Sequence, residues 1–198
     1  MRRKRISLEE LLDIALEVFA RYGFTKTTLD DVADRVGMTK ANLYNYVENK
    51  EDLYHRCIAS ALSRWRAAVE QKVSRFDDPA LRFKVLVREA MVYIDNHEQL
   101  QQIILQDSSV LPLSQDNDPF SEINDGARNM LRGVISDGME SGVFYDADPD
   151  LVTEYLFSTY MMFLTKRYVI HEGERTSKVF EQCLQIIVRG LIKPEYLT

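Results

Sequence analysis

The chain has 198 residues, of which 45% are apolar and 28% charged, with two cysteines and a formal net charge of -6 at pH 7. That length can bury a real core, and no apolar run reaches the roughly twenty residues that a membrane-spanning helix needs. The acidity argues against a nucleic-acid partner, but its distribution reverses the argument: residues 1–56 hold ten Lys/Arg and ten Asp/Glu, residues 57–198 fifteen and twenty-one, so the N-terminal quarter is spared.

Arg2-Arg3-Lys4-Arg5 is a short basic arm, read either as a solvated tail or as an arm lying on phosphates or in a minor groove. The Ser7-Leu8-Glu9-Glu10 that follows lacks the apolar stretch of a signal peptide, so the chain is expected in the cytoplasm. Ser7 and Glu10 form a capping box, and Leu8, Leu11, Leu12, Ala15, Leu16 and Phe19 recur at helical spacing up to Tyr22-Gly23. Thr28 is placed to cap a second helix, with Leu29, Val32, Ala33 and Val36 on its apolar side and Gly37 just past its end. Thr39 can cap a third, whose apolar side is Leu43 and Val47. Two helices joined by so short a Gly-containing turn make a helix-turn-helix. Thr39, Lys40, Asn42, Tyr44, Asn45 and Tyr46 occupy the other sides of the third helix, with no acid before Glu48. Amides, hydroxyls and a cation donate to phosphates and read base edges. Asn49 caps the next helix, where Lys50 and the helix N-terminus are expected to meet one phosphate together.

Thr27-Thr28-x-x-Asp31-Val32-Ala33, Gly37-x-Thr39-Lys40-x-x-Leu43-Tyr44-x-Tyr46 and Lys50-Glu51-x-Leu53 together resemble the DNA-binding signature of the TetR family of transcriptional regulators. The resemblance covers roughly residues 8 to 56. It departs at Tyr46-Val47, where the family usually carries His-Phe or Tyr-Phe. It implies an all-α fold, with a three-helix helix-turn-helix domain at 1–49 and a larger antiparallel ligand-binding and dimerisation domain at 50–198, about nine helices in all. It also implies a homodimer formed by the last two long helices, a double-stranded DNA operator, and repression as the default outcome. The DNA contacts expected are Thr28, Thr39, Lys40, Asn42, Tyr44, Asn45, Tyr46 and Lys50.

From Lys50 a long amphipathic helix runs to about Ser74, with Leu53, Ile58, Leu62, Trp65, Val69 and Val73 along its stripe. Beginning in one unit and ending in the other, it is a mechanical connector. Asp78-Pro79 and Asp148-Pro149 each open a further helix with a cap and a first-turn proline. A helix ending near Asn96 and a shorter one with Leu100, Ile103 and Ile104 precede residues 107–119, which lack periodicity and are expected as a surface loop. In the helix spanning roughly 119–141, Gly133 and Gly138 either permit close packing or loosen it. The helices near 150–170 and 175–192 are apolar on more than one side, which in a chain this short points to a subunit interface.

Candidate walls of a pocket for an inducer are Trp65, Phe83, Met91, Tyr93, Ile104, Met130, Tyr155, Thr159, Met162 and Phe163. Methionines and aromatics with few charges favour a small, largely apolar ligand, and Arg88, Arg128 and Lys166 are available to fix an anionic group. Cys57 and Cys183 lie in apolar helical patterns and read as reduced, structural thiols. His55, His97 and His171 have no partners at a catalytic or metal-ligating spacing, so no catalytic residue, metal or cofactor is expected. A small helical enzyme and a regulator-like module that does not bind DNA are the alternatives to a ligand-responsive regulator.

Overall fold

The computed structural model describes residues 6–111, 118–170 and 173–197. Among them are nine α-helices and no strand: α1 (Leu8–Tyr22), α2 (Leu29–Val36), α3 (Lys40–Leu43), α4 (Lys50–Val73), α5 (Pro79–Asp95), α6 (Glu98–Gln106), α7 (Ser121–Glu140), α8 (Pro149–Leu164) and α9 (Gly173–Leu191). The all-α expectation holds. The basic arm Arg2–Arg5 and the middle of the 107–119 segment lie outside the described residues.

The predicted start signals operate as read. The Ser7 hydroxyl accepts the Glu10 N–H at 3.1 Å, and the Glu10 carboxylate accepts the Ser7 N–H at 3.0 Å. Asp78 caps α5 at Ala80 (2.8 Å), and Asp148 caps α8 at Asp150 (2.9 Å). Each proline sits where a missing N–H removes no helical hydrogen bond.

Two expectations need correction. Residues 107–111 are not simply a surface loop. Asp107 caps a 3-10 turn, Ser108–Val110, and Val110 and Leu111 are buried. Apolar side chains at the end of an aperiodic stretch can still be core when a neighbouring surface waits for them. The helix after Thr39 is also shorter than read, ending at Leu43 and continuing only as turns through Tyr46. Tyr46 N–H and Val47 N–H still bond to the Leu43 carbonyl (2.9 and 3.2 Å), so Leu43 and Val47 remain on one side, and both are buried.

α1 packs on α2, α4 and α6; α4 packs on α5 and α7, and α7 on α8. One apolar cluster runs from Leu11 and Phe19 to Leu184 and Ile192. Where the N-terminal helices meet the rest, the Gln106 amide donates to the Ala20 carbonyl at 2.7 Å. Close by, Tyr54 lies edge-on to Phe19 (centroids 5.0 Å apart) and donates its hydroxyl to Asp107 at 2.9 Å. Burial first, and then the Asp107 carboxylate, push the Tyr54 phenol well above its usual pKa, so it stays a donor.

The glycines of α7 separate cleanly. A Cβ on Gly138 would stand 2.3 Å from the Phe144 ring, whereas one on Gly133 meets nothing within 4 Å. Close packing explains the first and nothing in the structure requires the second. After α9 the chain pairs briefly with the segment after α7: Tyr145 N–H bonds to Leu191 O at 2.9 Å and Lys193 N–H to Val143 O at 3.0 Å.

Candidate nucleic-acid interface and ligand cavity

α2 and α3 are held in place by their own caps. The Thr28 hydroxyl accepts the Asp31 N–H (3.2 Å), and Asp31 accepts the Thr28 N–H (2.8 Å). The Thr28 hydroxyl also donates to the Asp31 carboxylate at 2.7 Å, and this bond first, the Thr28 N–H second, holds the Asp31 carboxyl below its usual range. Gly37 takes φ +82°, a left-handed conformation that side chains resist, and the Gly37 and Met38 N–H groups close the last turn on Ala33 O, both at 2.9 Å. Thr39 caps α3 at Asn42 (3.3 Å).

With Leu43 and Val47 turned inward, Thr39, Lys40, Asn42, Tyr44 and Asn45 are exposed together. Two of the predicted contacts are already engaged inside the protein. Lys40 Nζ donates to Asp30 at 2.8 Å, both groups remaining exposed. Lys50 Nζ donates to the Phe24 carbonyl at 3.0 Å and sits 4.3 Å over the Phe24 ring. Asn49 occupies the N-terminus of α4, accepting the Asp52 N–H at 2.8 Å, with Glu51 and Asp52 in the first turn. Lys50 and that helix end therefore do not stand free together. Tyr46 is half-buried, its hydroxyl 3.5 Å from Ile6 O.

The larger body encloses a cavity between α4, α5, α7, α8 and α9. About 960 Å³ of atom-free space lies there, its open side included, but only about 110 Å³ is clear enough for the centre of a water molecule. It is a slot rather than a chamber, and its walls are overwhelmingly apolar. Of the expected walls, Trp65, Phe83, Met130, Thr159 and Phe163 line it. Met91 and Ile104 are core elsewhere, and Tyr93 stacks on His97 at 3.7 Å instead. Tyr155 and Met162 point outward, 62% and 45% exposed. The reason is helical phase. Leu156 and Phe163, seven apart, face the slot, while Tyr155 and Met162, also seven apart, share a neighbouring side about 100° round the helix that is exposed. An all-round apolar helix gives no hint of which side is which.

Arg66, Phe157, Tyr160 and Phe180 also line the slot and were missed. The usable signal for Arg66 was its place four residues after Leu62, on the inward stripe of α4. Trp65 is fixed by donating its indole N–H to Ala90 O at 3.0 Å. The expected anion-fixing groups are otherwise placed: Arg88 faces Glu181 at 4.0 Å, Arg128 pairs with Asp125 at 3.0 Å over the Phe157 ring, and Lys166 is exposed. No group of His, Cys, Asp and Glu among the described residues could hold a metal ion, and no helix among them is long and apolar enough to cross a membrane.

The family model described as bacterial regulatory proteins, tetR family, matches residues 11–57. Over nearly the whole length, the chain is 30% identical to the HTH-type transcriptional repressor KstR2 of Mycobacterium tuberculosis, across 189 residues covering 93% of this chain and 92% of that one. The chain belongs to the TetR family. As a TetR-family chain it is a helix-turn-helix transcriptional regulator, and its relatives leave no place for the enzyme alternative. The solved fatty acid degradation regulator FadR of Bacillus halodurans shares the fold, with a TM-score of 0.77 at 19% identity over 96% of this chain and 98% of that one. FadR of Bacillus subtilis, solved in complex with stearoyl-CoA, superposes with a TM-score of 0.74 at 20% identity over 91% and 97%.

Proposed function

We propose that this protein is a homodimeric, cytoplasmic transcriptional repressor released from a near-palindromic DNA operator by a small, largely apolar ligand. Residues 1–49 bind the DNA and residues 50–198 bind the ligand and the second copy. One observation carries the reading: α4 begins against the helix-turn-helix at Lys50 and lines the apolar slot with Trp65 about 22 Å further on, by the rise of about 1.5 Å per residue. A ligand that widens so narrow a slot must move α4, and DNA favours the unmoved state. The two affinities are then reciprocally coupled.

Thr39, Lys40, Asn42, Tyr44 and Asn45 are the candidate DNA contacts, with Thr28, Tyr46 and Lys50 flanking them. Asn42 suits an adenine edge, and Lys40 exchanges Asp30 for a phosphate. Leu151, Tyr155, Met162, Val179 and Ile186 are large apolar side chains left exposed on α8 and α9, Leu151 and Ile186 at 70%. A second copy would cover them, and two-fold pairing sets recognition elements about 34–36 Å apart. Repression is favoured by the relative KstR2, which is named a repressor.

The test is selection of duplexes from a random-sequence library by the purified protein, followed by sedimentation of the complex. Two copies on an inverted repeat are expected. Failure to enrich any sequence would favour the module without DNA binding.

A further inference from the structure

Five arginines among the described residues are half-buried: Arg64, Arg66, Arg82, Arg128 and Arg167. Four have a carboxylate: Arg64 has Asp13 at 2.7 Å, Arg82 has Asp137 at 2.5 Å, Arg128 has Asp125 at 3.0 Å and Arg167 has Asp95 at 2.7 Å. Arg66 has none within ion-pairing distance among the described residues, and it is the single charged residue lining the slot. Its guanidinium lies against bare backbone of α7. A Cβ on Gly126 would stand 1.8 Å from its Nη1 and 2.9 Å from its Cζ. The place exists only because residue 126 is glycine. A cation partly withdrawn from water without a counter-charge is unfavourable, and bidentate oxyanions are what a guanidinium fork binds best.

We propose that the slot takes an amphipathic anion, with an apolar body among the aromatic walls and one oxyanion head, carboxylate or phosphate, paired with Arg66 over Gly126. The proposal rests on the reading of the slot as the ligand site and adds the class of ligand. Arg66 is partly exposed, so the head sits where the slot meets solvent and the body runs inward past Trp65. The narrowness of the slot selects a slim chain or a flat ring system. The anion supplies the counter-charge that the fold withholds from this one arginine.

Trp65 is the only tryptophan of the chain, so its emission reports occupancy directly. Dodecanoate, dodecyl phosphate and dodecanol, which share one apolar chain, are titrated against full-length wild type, Arg66→Gln and Gly126→Ala. In wild type at least one anion binds about 10-fold or more tightly than the alcohol, the size of a charge-assisted contact. The tighter of the two anions names the head. Arg66→Gln brings that anion to the affinity of dodecanol while leaving dodecanol binding unchanged, which also shows that the variant is folded. Gly126→Ala displaces the guanidinium and acts in the same direction. Equal binding of anions and alcohol in wild type, or an anion preference that survives Arg66→Gln, overturns the anchor and leaves the slot as a neutral ligand site. Absence of any Trp65 response to all three probes overturns the slot as a ligand site together with the anchor.

Discussion

The helix-turn-helix and the helical body treat cations and volume in opposite ways. In the first, Lys40 and Arg35 lie on the surface beside Asp30 and Glu17, and Leu43, Val32 and Phe19 are sealed beneath them. Exposed pairs of this kind contribute only about 0–1 kcal/mol, so on the proposed function a phosphate would displace the acid at little cost. In the second, Arg66 has no carboxylate partner among the described residues and lines an apolar slot. One unit is finished by itself and lends out its surface charges. The other keeps a cavity between its helices. On the proposed function that difference matters, because the part with spare volume is the part a ligand would reshape.

Leu43→Ala gives the largest expected effect. Leu43 is fully buried where α2 and α3 meet, and truncation should remove about 2–5 kcal/mol in urea unfolding, with DNA binding lost. A loss below 1 kcal/mol would mean that the helix-turn-helix is not close-packed. Overpacking sharpens the contrast. Ala33→Leu in the sealed unit should destabilise by about 1–3 kcal/mol. Ala127→Leu at the slot should stabilise by about 0.5–2 kcal/mol and abolish the Trp65 response to ligand. If both changes destabilise alike, the slot is not spare volume.

The glycines of α7 test the same distinction within one helix. Gly138→Ala drives a methyl into Phe144 and should cost about 1–3 kcal/mol, whereas Gly133→Ala should raise stability by about 0.5–1 kcal/mol. Thermal unfolding of the two variants decides it. The smallest effect on stability is expected of Lys40→Ala, within about 0.5 kcal/mol. Its effect on DNA should still be plain, with all sequences bound more weakly and the salt slope lowered by about 1. An unchanged salt slope would remove Lys40 from the interface.

Much of this was legible in the sequence, and the reason is locality. Ser7 with Glu10, Thr28 with Asp31, Gly37, and the Asp78-Pro79 and Asp148-Pro149 pairs act within four residues of themselves, so their patterns carried over directly. The slot was only half legible, because its walls come from five helices and the phase of α8 is fixed by packing. Tyr155 and Phe163 have the same apolar character, yet one faces solvent and the other the slot. The engagement of Lys50 by the Phe24 carbonyl, 26 residues away, is likewise a long-range fact. Arg66 escaped notice because a cation on an amphipathic helix is ordinarily a solvated one, and only Gly126 on another helix makes it otherwise.

The central claim is that occupancy of the slot and occupancy of the DNA surface oppose one another through α4. The most direct measurement is the affinity of the tightest dodecyl probe, read from Trp65 emission, for the protein alone and for the protein saturated with its selected duplex. The account predicts weaker ligand binding on DNA by about 5- to 150-fold, matched by an equal loss of DNA affinity when ligand is saturating. Identical ligand affinity in the two states would contradict it, since a ligand that does not distinguish two states cannot shift their balance.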